Sequence, residues 1–73
     1  MENIKLVHTT VEGEKAIKIM SEYDVICYGH LFNYKSVNDT EDDWRFQASN
    51  DVSFDTNLLL DISKSIYFLN NQH

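Results

Sequence analysis

With no proline and only two glycines, Gly13 and Gly29, this chain has few places at which it can reverse direction. The turns must come from Asn, Asp and Ser, whose short polar side chains hydrogen-bond to nearby backbone and so compete with regular structure. Two clusters of these residues stand out, Ser36–Asp43 (SVNDTEDD) and Ser49–Ser53 (SNDVS). They split the second half of the chain into a segment before residue 36, a short segment between the clusters, and a C-terminal segment. A length of 73 residues leaves room for a single small domain, residues 1–73, with a correspondingly small core.

Within these boundaries the residue pattern assigns each segment. Asn3–His8 alternates Ile4 and Leu6 with Lys5 and Val7 and reads as a short strand. Thr9 followed by Glu12 fits a capping box, and Ala16, Ile17, Met20 and Tyr23 then fall on one helical face, with Glu14 and Lys18 as an i,i+4 ion pair. Residues 10–22 are therefore expected to be helical. The rival reading is a hairpin turning at Glu12-Gly13, with Ile17 and Ile19 alternating in a second strand. Val25–Tyr34 (VICYGHLFNY) and Trp44–Ser49 (WRFQAS) are strand-like, and the acidic segment between them connects an antiparallel pair. Asp55 is placed to cap a final helix, with Phe54 and Leu59 as its hydrophobic staple. Leu58, Leu59, Ile62, Ile66 and Leu69 form the apolar stripe of that helix, and Asp61, Lys64 and Ser65 are expected to face solvent.

The order is β-α-β-β-α, or β-β-β-β-α if residues 10–22 form a hairpin. Both are α+β: a small antiparallel or mixed sheet with a C-terminal helix packed on one face. In the middle strand one face carries Ile26, Tyr28, His30, Phe32 and Tyr34, and the other Val25, Cys27, Gly29, Leu31 and Asn33. Neither is polar throughout. A helix covering one face leaves an apolar or aromatic patch on the other, a kind of surface that marks protein contacts.

A hydrophobic fraction of 42% with four Phe, four Tyr and one Trp describes a folded chain. Cys27 is the sole cysteine, so neither an internal disulfide nor a multi-cysteine zinc site can form within the chain, which fits a reducing, cytoplasmic setting. The first residues carry no basic start followed by a continuous apolar segment, so no leader is read there. The sequence pI of about 4.7 opposes direct binding to nucleic acid or to an anionic membrane, both of which need an excess of Lys and Arg.

Charge is distributed very unevenly. Residues 39–61 hold seven acids against Arg45 alone, a net −6 that equals the charge of the whole chain. Asp39, Glu41 and Asp43 alternate like the opening of an EF-hand loop, but Trp44 stands where that loop requires glycine and Asn50 where it requires a bidentate glutamate. Cys27 and His30 have C-x-x-H spacing; in a regular strand they point to opposite faces and can share neither a metal nor a catalytic proton unless the chain bulges at Gly29. No nucleophile, base and oxyanion-hole arrangement is recognisable. The expectation is a non-enzymatic protein with no metal and no cofactor.

The acidic segment is the strongest surface signal. Carboxylates spaced along a loop can imitate phosphates and occupy a basic cleft, with an adjoining aromatic side chain as anchor. On this reading Asp39, Glu41, Asp42, Asp43, Trp44 and Asp51 form the contact surface for a protein partner with a basic face. In size, acidity and lack of a catalytic signature the chain is similar to short reading frames of phages and mobile elements, among them inhibitors of host nucleases. That resemblance implies blockade of a basic nucleic-acid-binding surface of a host enzyme. The alternative is a homodimeric or accessory interaction module that binds through the apolar sheet face or the exposed parts of Tyr67 and Phe68.

Overall fold

The computed structural model of the chain describes residues 4–23, 25–35 and 41–72. These form four strands, β1 (Ile4–Val11), β2 (Glu14–Ser21), β3 (Cys27–Asn33) and β4 (Trp44–Ala48), followed by one helix, α1 (Thr56–Asn70). The strands lie in the order β1-β2-β3-β4, each antiparallel to the next, and α1 packs on one face of the sheet. The class is α+β.

The helix expected over residues 10–22 does not form. Val11 pairs with Glu14 across a two-residue turn in which Glu12 and Gly13 both have positive φ, 52° and 83°. Two positive φ values in succession give a turn whose twist matches that of the strands it joins, and glycine adopts the second without a Cβ penalty. Thr9 consequently pairs with Ala16 in the ladder rather than capping a helix. The helical spacing of Ala16, Ile17 and Met20 is outweighed by the period-2 pair Ile17 and Ile19, which tertiary packing buries almost completely.

The core is small. Ile17, Ile19 and Leu31 are the largest fully buried side chains, joined by Tyr28 from β3 and by Leu58 and Ile62 from α1. Each such aliphatic side chain stabilises the fold by about 1.5–3 kcal/mol relative to exposure. Ile4, Trp44, Phe46, Val52, Phe54, Ile66 and Leu69 pack around this centre.

Tyr28 reaches the core because β3 is irregular. Ile19 pairs with Gly29 but Met20 pairs with Cys27, leaving Tyr28 as an extra residue, a β-bulge. The bulge breaks the alternation expected for β3: Tyr28 joins Leu31 in the core, and its ring lies 6.5 Å from that of Phe54, which in turn meets Phe46 edge-on at 6.2 Å. Gly29 has no room for a side chain. A Cβ there would lie 2.5 Å from the Gln47 carbonyl oxygen and 2.6 Å from the Phe46 ring, so the aromatic ring and the β4 backbone close over the glycine.

Two devices fix the ends of α1. At its start, an Asp55 carboxylate oxygen accepts from the Leu58 backbone N–H at 2.8 Å, which satisfies one of the orphan donors of the first turn. At its end, the Asn70 side chain spans to β4: its oxygen accepts from Trp44 N–H at 2.6 Å and its amide donates to the Trp44 carbonyl at 3.2 Å. The first residue of the edge strand is thus tied to the last residue of the helix. The apolar stripe is narrower than the sequence pattern suggests. Leu58 and Ile62 are buried and Ile66 and Leu69 pack on the core, but Leu59 is turned outward. Asp61 and Ser65, expected in solvent, are half-buried, and the Ser65 hydroxyl donates to the Asp61 carbonyl at 3.1 Å.

Candidate functional site

The described residues of the acidic surface lie at the two ends of β4. Asp39 lies outside the described residues. Glu41, Asp42, Asp43 and Trp44 precede and open β4, whereas Asp51 follows it, on the far side of a five-residue strand that spans about 17 Å.

Those near the start of β4 are also committed to local structure. Asp42 accepts from the Asn33 side-chain amide at 3.1 Å, while the Asn33 oxygen accepts from Asp43 N–H at 3.2 Å, so one side chain at the end of β3 fixes two acidic residues. The Asp43 carboxylate accepts from both Nε and Nη2 of Arg45, at 3.1 and 2.9 Å. Both bonds go to one oxygen, Oδ2, and with the Asp43 charge they raise the pKa of Arg45 above its ordinary value. Arg45 also lies over the Tyr34 ring, 5.5 Å from its centroid. Asp42 lines an open cleft together with Lys15 and Lys35. The acidic surface near β4 is therefore interleaved with cations, which weakens its field on a distant partner.

Trp44 presents only part of its surface. It is half-buried, packs against the core cluster, and has both backbone polar groups held by Asn70. Its remaining surface borders an open depression with His8, Thr10 and Lys15.

The bulge at Gly29 does change the relation of Cys27 and His30. Pairing with Met20 and Lys18 places both on the sheet face opposite α1. Among the described residues, however, no three His, Cys, Asp or Glu side chains gather to hold a metal ion. The Cys27 thiol donates to the Gly29 carbonyl at 3.7 Å.

The uncovered sheet face is apolar and aromatic in part: the register sets Val7, Ala16, Met20, Cys27, His30 and Phe32 on it, all but the buried Ala16 half-buried, with the His30 and Phe32 rings 6.1 Å apart beside Lys18. Large apolar side chains also emerge from the outside of α1, where Leu59 is 48% exposed, Leu60 51%, Tyr67 71% and Phe68 65%. Successive positions four apart make two neighbouring ridges, Leu59-Ser63-Tyr67 and Leu60-Lys64-Phe68. A shallow groove runs along them, lined by Leu60, Ser63, Lys64, Tyr67, Phe68 and Asn71. A helix with one buried stripe should be polar opposite it; α1 is not. Hydrophobic periodicity alone credits Leu59 to the core, and the usable signal was the excess of apolar residues in LLLDISKSIYFL over what one stripe requires.

No protein-family model matches the chain, and neither does any curated protein or solved structure. Among the described residues no helix is long and apolar enough to cross a membrane.

Proposed function

We propose that this chain is a non-enzymatic protein-interaction module whose principal contact surface is the outer face of α1. The observation that carries this reading is the pair of ridges bearing Leu59, Leu60, Tyr67 and Phe68 on a helix already satisfied on its other side. Contiguous exposed apolar surface of this kind is unfavourable in water and marks protein contacts, and aromatic side chains are favoured as anchors in them. Lys64 and Ser63, set between the apolar ends, supply polar groups that fix the orientation of whatever docks.

A photo-crosslinking amino acid in place of Phe68 tests this in cells that express the chain. The result expected is a discrete adduct at position 68 that disappears when Leu60 is changed to Asp, with no adduct at the exposed control position Glu12 in the β1–β2 turn. Equal labelling at positions 68 and 12, or none at 68, would overturn it.

A second contact, with a basic protein surface such as a nucleic-acid-binding cleft, is supported by the confinement of the net charge of −6 to residues 39–61, with Glu41 and Asp51 both exposed. Its mark is salt dependence, because exposed charges are screened beyond about 10 Å at 0.1 M. A complex with a basic partner that persists unchanged when Asp39, Glu41, Asp42 and Asp43 are replaced by their amides would remove it.

A further inference from the structure

We infer that the occupant of the α1 surface is a second copy of this chain, packed with the two helices antiparallel about a two-fold axis between Ser63 and Lys64. The inference rests on the contact reading above and names its partner.

The spacing of the exposed residues is self-complementary. They come as three adjacent pairs, Leu59 and Leu60, Ser63 and Lys64, Tyr67 and Phe68, repeated every four residues. Turning a second helix end for end about the midpoint of Ser63 and Lys64 sets Leu59 against Phe68 and Leu60 against Tyr67, twice each. The same operation sets Ser63 against Lys64 at the centre. Apolar groups meet apolar groups, and the only cation of the surface meets a small hydroxyl side chain rather than its own copy. A two-fold interface requires this property, that each residue finds its complement in the same patch. Antiparallel α1 helices also oppose their macrodipoles favourably.

Charge agrees. The acidic excess of the chain lies almost wholly before α1, and the outer surface of the helix carries a single charge, Lys64, so no run of like charges separates two copies there.

Light scattering on the purified full chain over a range of concentrations is the test. The expected result is a concentration-dependent rise from 8.6 kDa to twice that mass, with Leu60→Asp and Phe68→Asp each weakening association at least about tenfold while circular dichroism and Trp44 fluorescence stay unchanged. Orientation is read in a Cys27→Ser background: Ser63→Cys should form an intermolecular disulfide, and Asn71→Cys, distant from its copy in an antiparallel pair, should not. A chain that stays at 8.6 kDa throughout, a dimer indifferent to both Asp variants, or crosslinking at 71 rather than 63 would overturn the inference. If the chain is monomeric while position 68 still crosslinks a different protein in cells, the contact surface stands and its occupant is not a second copy; if neither occurs, both readings fail.

Discussion

Replacing Gly29 by alanine should be among the most damaging single-methyl additions this chain can suffer. Two costs combine. The added Cβ would stand 2.5 Å from the Gln47 carbonyl oxygen and 2.6 and 2.7 Å from two carbons of the Phe46 ring, each well inside van der Waals contact. Overpacking a tight site costs about 1–3 kcal/mol. Gly29 also has φ of +156°, a backbone conformation that residues with a Cβ rarely adopt, for a further cost of about 1–3 kcal/mol. A loss of about 2–6 kcal/mol follows, against a total stability of about 4–11 kcal/mol for 73 residues at typical per-residue values. Urea denaturation followed by Trp44 fluorescence and circular dichroism, at one fixed protein concentration, measures it. Two comparisons locate the cause. Gly13→Ala has positive φ but nothing within 4 Å of the new Cβ, so it should lose only about 1–2 kcal/mol. In a Phe46→Leu background the ring contacts are relieved while the carbonyl contact stays, so more than half the cost of Gly29→Ala should persist. A loss below about 1 kcal/mol, or full rescue by Phe46→Leu, would refute the assignment of the clash to the β4 backbone.

Asp55→Ala removes the oxygen that caps α1 and should cost about 1 kcal/mol, with Asp55→Asn largely restoring it; equal losses for both would mean the cap is not what stabilises the helix start. Asn70→Ala breaks both bonds to the Trp44 backbone, and a loss of about 1–3 kcal/mol with a shifted Trp44 emission maximum is expected, whereas Asn71→Ala, at an exposed position, should leave the Trp44 emission maximum unchanged. Leu31→Ala empties the centre of the sheet and should lose about 2–5 kcal/mol by chemical denaturation, enough to unfold a marginal domain. Leu60→Asp and Phe68→Asp should leave the thermal unfolding of the monomer nearly unchanged while abolishing its concentration dependence, and a large drop in monomer stability would show that these side chains belong to the core.

The local signals that proved sufficient were those carried by neighbours in sequence. The turn clusters around residues 36–43 and 49–53 marked the limits of β4, the alternation of Trp44, Phe46 and Ala48 marked the strand between them, and Asp55 marked the start of α1. Segment 10–22 could not be decided from its own residues. Its apolar positions satisfy a helical period and a strand period at once, and what selected the strand was the partner on each side: β1 pairs with it along eight residues and β3 along five, burying Ile17 and Ile19 between sheet and helix. The acidic segment shows the same limit on the functional side. Sequence fixes the number and sign of charges, but only the fold sets Asp43 against Arg45, ties Asp42 to Asn33 and moves Asp51 to the opposite end of β4.

From its sequence by itself this protein's α+β class, its C-terminal helix with its cap, and the location of its net charge were determined, because propensity, capping and charge are properties of short segments. The tertiary structure alone decided the β1–β2 hairpin, the bulge that carries Tyr28 into the core, and the outward turn of Leu59 that completes an apolar surface on α1. Each depends on which surfaces remain for a segment to pack against once the rest of the chain is in place, and that is a property of the assembled fold.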